Sequence, residues 1–86
     1  MAIDRPLATL TVYSRAHCHL CEEMIKALRG LQGLCHFEIA VIDIGTDPDL
    51  IRRHGEKVPV LMHGEHELCH YRLEPVAVMK HLAKIP

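Results

Sequence analysis

Cys18-His19-Leu20-Cys21 sets two thiols three residues apart, so that within one helical turn the sulfurs lie side by side and can close a short disulfide. The spacing by itself serves zinc sites, copper carriers and redox centres alike. What separates these chemistries is the element that carries the pair. A cysteine at a helix N-terminus faces unpaired backbone amides and the positive end of the helix dipole, which can lower a thiol pKa from about 8.5 to between about 3.5 and 7.5. The thiolate is the nucleophile of disulfide exchange, so a redox reading makes Cys18 the attacking thiol and Cys21, a turn deeper, the resolving one. Near that pair, a protonated His17 or His19 would favour the thiolate while Glu22 and Glu23 oppose it, which predicts a moderate shift near neutral pH.

The elements that must position these thiols are legible as changes of hydrophobic period. Leu7 to Tyr13 alternates in part and follows Pro6, as a first strand would. Cys21, Met24, Ile25 and Leu28 then recur at helical spacing opposite Glu22, Glu23, Lys26 and Arg29, with Gly30 or Gly33 to end the helix. The cysteines therefore fall at a strand-to-helix junction. His36 to Ile44 is a β-branched second strand, and Asp47, Pro48 and Gly55 cap, start and end a helix of about two turns. Val58 to Met62 and Glu67 to Tyr71 flank His63-Gly64-Glu65-His66 as a hairpin. Pro75 opens a last helix whose apolar stripe is Val78, Met79 and Leu82, flanked by Val76 and Ile85. The predicted order is β-α-β-α-β-β-α in one domain spanning residues 1–86.

With those residues in view, Thr11-Val12-Tyr13-Ser14-Arg15-Ala16-His17-Cys18-His19-Leu20-Cys21 resembles the first strand and active-site turn of glutaredoxins, whose last four residues are usually Cys-Pro-Tyr-Cys. Lys57-Val58-Pro59 resembles the Thr-Val-Pro of that family, in which the proline is cis and faces the cysteines. The resemblance covers nearly the whole chain. It implies a thioredoxin fold of class α/β, with a four-stranded mixed sheet and helices on both faces, and a thiol-disulfide exchange role for Cys18. It also implies a docking surface around Pro59, drawn from Val58, Tyr13, Arg15, His17, His19 and Arg72. Glutaredoxins place a Gly-Gly and an acidic residue before the last helix to hold glutathione. Here the stretch reads Leu68-Cys69-His70-Tyr71-Arg72-Leu73-Glu74, and the missing glycines weaken the case for glutathione dependence.

Other classes recede on composition and order. The net charge is −1 with histidines neutral, and the ten Lys and Arg are scattered, so no basic footprint for nucleic acid is present. No apolar run reaches the roughly 20 residues of a membrane span. Met1-Ala2-Ile3-Asp4-Arg5-Pro6 lacks the order of a secretory signal, so a cytoplasmic location is expected. Cys35 and Cys69 stand singly among apolar residues and read as small hydrophobes. Of the eight histidines, His36, His54, His63, His66, His70 and His81 read as solvated. The alternative function is a copper or zinc carrier that uses the same cysteines with His17 or His19. That fold runs strand, helix, strand, strand, helix, strand, whereas this chain ends in a helix. The expectation is a monomeric oxidoreductase or electron carrier without a bound cofactor or metal, acting on a disulfide-containing protein or small thiol, with glutathione a candidate reductant.

Overall fold

Alternation along one strand sets the two faces of the molecule. The computed structural model describes residues 8–84, so Leu7 and Ile85, assigned above to the first strand and the last helix, lie outside the described residues. In β1 (Thr9–Ser14), Leu10, Val12 and Ser14 are buried while Thr11 and Tyr13 on the other face are half-buried. β1 pairs in parallel with β2 (Glu38–Asp43), Leu10 opposite Ile39 and Val12 opposite Val41. It pairs antiparallel with β3 (Val60–His63), which in turn pairs antiparallel with β4 (His66–His70). The sheet is therefore mixed and four-stranded, in the order β2-β1-β3-β4, as expected of the thioredoxin fold.

The core lies on the Leu10 and Val12 face. There Leu61 and Cys69 join them against Met24, Leu28 and Leu31 of α1 (His19–Leu31) and Val78 and Leu82 of α3 (Pro75–Ala83). Full burial of a leucine or valine contributes about 1.5–3 kcal/mol, so this face carries most of the hydrophobic stabilisation. The opposite face is covered by α2 (Pro48–His54), which stacks the His54 ring on Tyr13 with centroids 4.8 Å apart. α2 starts where Asp47 accepts the N–H groups of Asp49 and Leu50 at 3.0 and 3.2 Å, with Pro48 preset at the first helical position. It closes at Gly55, whose N–H donates to the Ile51 carbonyl at 2.8 Å; a Cβ there would come within 2.5 Å of the same oxygen.

The structure differs from the sequence reading at element ends, each time for a local reason. α1 runs through Gly30 to Leu31, where the Gln32 N–H bonds back to Leu28 and its side-chain amide donates to the Phe37 carbonyl at 2.8 Å. β2 begins at Glu38 rather than His36, and Ile44 belongs to a short 3-10 turn (Ile44–Thr46) because Asp43 accepts the Gly45 N–H at 2.8 Å. His63 pairs with His66, so the hairpin turn shrinks to Gly64-Glu65, with Gly64 at φ +61°. β4 stops at His70, one residue before Tyr71. In α3, Val78 and Leu82 share the buried face, while Met79, rotated a further 100° around the helix, is 41% exposed.

Leu28 is fully buried between α1 and the sheet, and Leu34 is 76% exposed. Leu28→Ala is expected to lower stability by about 2–5 kcal/mol and Leu34→Ala by no more than about 0.5 kcal/mol, measured by urea unfolding.

Candidate active site

β1 delivers the chain to one end of the sheet at Ser14, and the turn back into α1 is made by His17, which sits in the left-handed region at φ +60°. Cys18 follows in an extended conformation as the N-cap of α1. Its Sγ accepts the backbone N–H of Cys21 at 3.1 Å, so a sulfur fills the capping place usually taken by a Ser or Asp oxygen. Cys18 and Cys21 are disulfide-bonded, with their Cα atoms 5.2 Å apart. Cys18 is half-buried and Cys21 is 2% exposed. Cys18 is thus the more exposed of the two, the asymmetry that distinct roles require. His19 and Glu23 form an exposed i,i+4 pair at 2.9 Å, so Glu23 is engaged with His19 on the solvent side of the helix.

The second component arrives from β3. Tyr13 is opposite Val60, so Pro59 lies level with the end of β1, at the same end of the sheet as the cysteine turn. The Val58–Pro59 peptide is cis, and Pro59 is fully buried. Its carbonyl accepts the N–H of Tyr71 at 2.8 Å, which ties the end of β4 to the start of β3. Lys57, the residue before Val58, donates to Glu67 at 2.7 Å, and His70 contacts the other Glu67 carboxylate oxygen at 2.7 Å. The Lys57 hydrogen bond, reinforced by His70, holds the Glu67 carboxyl below its ordinary pKa against the opposing effect of burial.

Arg15 and Arg72 of the predicted docking set line different depressions. Arg15 lines a depression of about 530 Å³ with Arg52, Arg53 and Lys57. Arg52 and Arg53 both engage Asp49, the latter at 2.9 Å. Arg72 instead lines a groove of about 270 Å³ with Leu20, Glu23, Met24, Ala27, Tyr71 and Leu73, directly beside the cysteine turn. Tyr13 lies on the α2 face of the sheet against His54, away from the face covered by α1. Val58 and Pro59 enter β3 at the cysteine end.

Several functional contacts escaped the sequence reading. His54 and His81 are not simply solvated. His54 stacks on Tyr13 with its Nδ1 buried and without a hydrogen-bond partner, and desolvation, aided by Arg53 and Lys57, lowers its pKa. His81 meets His63 across a 2.7 Å nitrogen-to-nitrogen hydrogen bond, and burial lowers its pKa as well. The groove beside Cys18 was also missed. Its only trace in the sequence was the loss of the family glycines between Leu68 and Glu74. Cys35 and Cys69 behave as expected of small hydrophobes: both are free, and Cys69 is buried in the core where desolvation raises its thiol pKa.

The metal-carrier alternative finds no support. The described elements follow the order β-α-β-α-β-β-α, not that of the carrier fold, and among the described residues no three His, Cys, Asp or Glu side chains are grouped to hold a metal. No described helix is long and apolar enough to cross a membrane.

A comparison with curated proteins found no match. Among solved structures, the solution NMR structure of a protein from Nitrosomonas europaea is 41% identical, covers 94% of this chain and 95% of its own, and superposes with a TM-score of 0.82. The X-ray structure of a protein from X. campestris is 28% identical, with coverage of 90% and 99% and a TM-score of 0.71. The germline-specific thioredoxin Deadhead of Drosophila melanogaster, 16% identical over 96% of this chain and 85% of its own with a TM-score of 0.58, shares the fold alone. The model of the glutaredoxin-like domain, DUF836, matches residues 9–83. A C-x-x-C pair capping the first helix, a cis-proline level with it, and this match over nearly the full length place the chain in the glutaredoxin-like domain family, on a thioredoxin fold.

Proposed function

We propose that this protein is a thiol-disulfide oxidoreductase or electron carrier in which Cys18 is the nucleophile and Cys21 the resolving thiol. The observation that carries the reading is the position of the Cys18 sulfur at the N-cap of α1, in the less buried of the two cysteines, with the Cys21 amide directed at it from 3.1 Å. In the reduced protein that amide and the helix dipole stabilise a negative sulfur more than a neutral one. The Cys18 thiolate attacks one sulfur of a substrate disulfide. The Cys18–substrate S–S bond forms, the substrate's own bond breaks, and the departing half leaves as a thiolate that takes a proton from water. Cys21, deprotonated in turn, attacks the Cys18 sulfur from within and releases the second half as a thiol. Two electrons have then passed from the dithiol to the substrate, and an external thiol restores the pair.

Pro59 enters β3, fully buried, at the same end of the sheet as the cysteine turn. A reducing compartment such as the cytosol fits a protein whose remaining cysteines are free. The reduction potential of the pair discriminates between reductants. A value near about −200 to −230 mV points to glutathione coupling, and one near about −270 mV to a thioredoxin-like system.

Two measurements bear on the roles. In the reduced protein at neutral pH, Cys18 is expected to alkylate with iodoacetamide roughly tenfold faster than Cys35 or Cys69, as read by mass mapping after brief exposure. First labelling of Cys35 or Cys69 would displace Cys18 as the nucleophile. Cys21→Ser is expected to accumulate a mixed disulfide with its thiol partner, while Cys18→Ser forms none. Equal loss of the adduct in both variants would refute the division of labour.

A further inference from the structure

Tyr71 has a backbone conformation that aromatic residues seldom adopt, with φ at +67°. Such a residue persists only where its surroundings hold it, and the departure is worth tracing to a role. Two contacts hold it here. Its N–H donates to the Pro59 carbonyl at 2.8 Å, and its hydroxyl donates to the Glu56 carbonyl at 2.9 Å. These acceptors flank Lys57 and Val58, so the tyrosine straddles the segment that leads into Pro59. Its ring, 46% exposed, forms one wall of the groove whose other wall is α1.

That groove begins at the C-x-x-C turn, since Leu20 on its lining is inside the motif, and runs from there along α1 past Glu23 and Met24 to Ala27. Apart from Glu23 and Arg72 the lining is apolar, and Glu23 is already paired with His19. The volume of about 270 Å³ falls below the roughly 300–1,000 Å³ of sites that enclose a whole small ligand. It accommodates one large side chain. Glutathione would bring two carboxylates and an ammonium group to a surface with a single uncommitted cation, Arg72, and burying the remaining charges unpaired is unfavourable. The basic depression around Arg15 shares no lining residue with the groove.

We propose that the groove between α1 and the turn after β4 is a subsite for one large apolar side chain adjacent to the disulfide of a protein substrate, and that Tyr71 is its specificity-determining residue. Held in its left-handed conformation, Tyr71 forms a wall of the groove and braces the Pro59 segment from both ends. The proposal rests on the redox reading above.

The test compares three disulfides under dithiothreitol as reductant: a peptide with phenylalanine next to its disulfide-bonded cysteine, the same peptide with serine there, and glutathione disulfide. The natural protein is expected to reduce the phenylalanine peptide with a kcat/KM at least tenfold above the other two, the difference residing in KM. Tyr71→Gly is expected to narrow that preference below threefold, and Tyr71→Phe, which keeps the ring, to retain most of it. Ala27→Glu, at an exposed position on the opposite wall, obstructs the groove without touching the brace and is expected to abolish the preference; it decides the matter if Tyr71→Gly does not fold. Equal kcat/KM for the phenylalanine and serine peptides, or a preference unchanged in both groove variants, overturns the proposal and leaves the redox reading intact. No reduction of any of the three by the natural protein overturns both.

Discussion

A helix that begins at the end of a strand leaves its first amides without partners, and in this protein the acceptor that meets one of them is a sulfur. The Cys18 Sγ takes the Cys21 N–H at 3.1 Å, so the group that caps α1 is also the group assigned to attack. Structure and chemistry are joined in one contact. The cap works only if α1 starts at His19, which requires β1 to end at Ser14 and the chain to reverse through His17 in a left-handed conformation. β1 is held from both sides, by β2 in parallel and β3 antiparallel, and α1 is held by Met24, Leu28 and Leu31 against the same strand. The burial that stabilises the fold therefore also holds the turn that presents the sulfur.

The same end of the sheet gathers two other chain segments that are distant in sequence. Pro59 enters β3 beside the cysteine turn, and Tyr71 leaves β4 to bond with it. The Lys57, Glu67 and His70 contacts reinforce this junction on the next strand. Because β3 and β4 form a tight hairpin through Gly64 and Glu65, any shift of Tyr71 would be transmitted to Pro59 over one hydrogen bond. The Pro59 segment is accordingly braced from β4. The depression that includes Leu20 is mostly apolar and the one that includes Arg15 is basic.

Membership of the glutaredoxin-like domain family accounts for the shared framework but leaves the binding chemistry to this chain's own residues. The turn after β4 illustrates the point. Tyr71 keeps a backbone conformation that glycine adopts freely, yet adds a ring and a hydroxyl that tie down the neighbouring segment.

Much of this was legible in the residues before any coordinates. Alternation in Thr9 to Ser14, helical spacing from Cys21 to Leu28, and the Asp47, Pro48 and Gly55 signals are local, and local patterns suffice to order the elements and to place the cysteines at a strand-to-helix junction. Three residues separate Cys18 from Cys21, so their pairing too is a local property. What only the tertiary structure decided depends on strand register and on side chains far apart in sequence. Tyr71 reads as a continuation of β4 until its N–H is seen to reach Pro59, and His54 and His81 read as solvated until Tyr13 and His63 are brought against them. Arg15 and Arg72 read as one docking set until the sheet separates them into different depressions. Periodicity reports which face of an element is apolar; it carries no information on which distant residue that face, or the turn at its end, will meet.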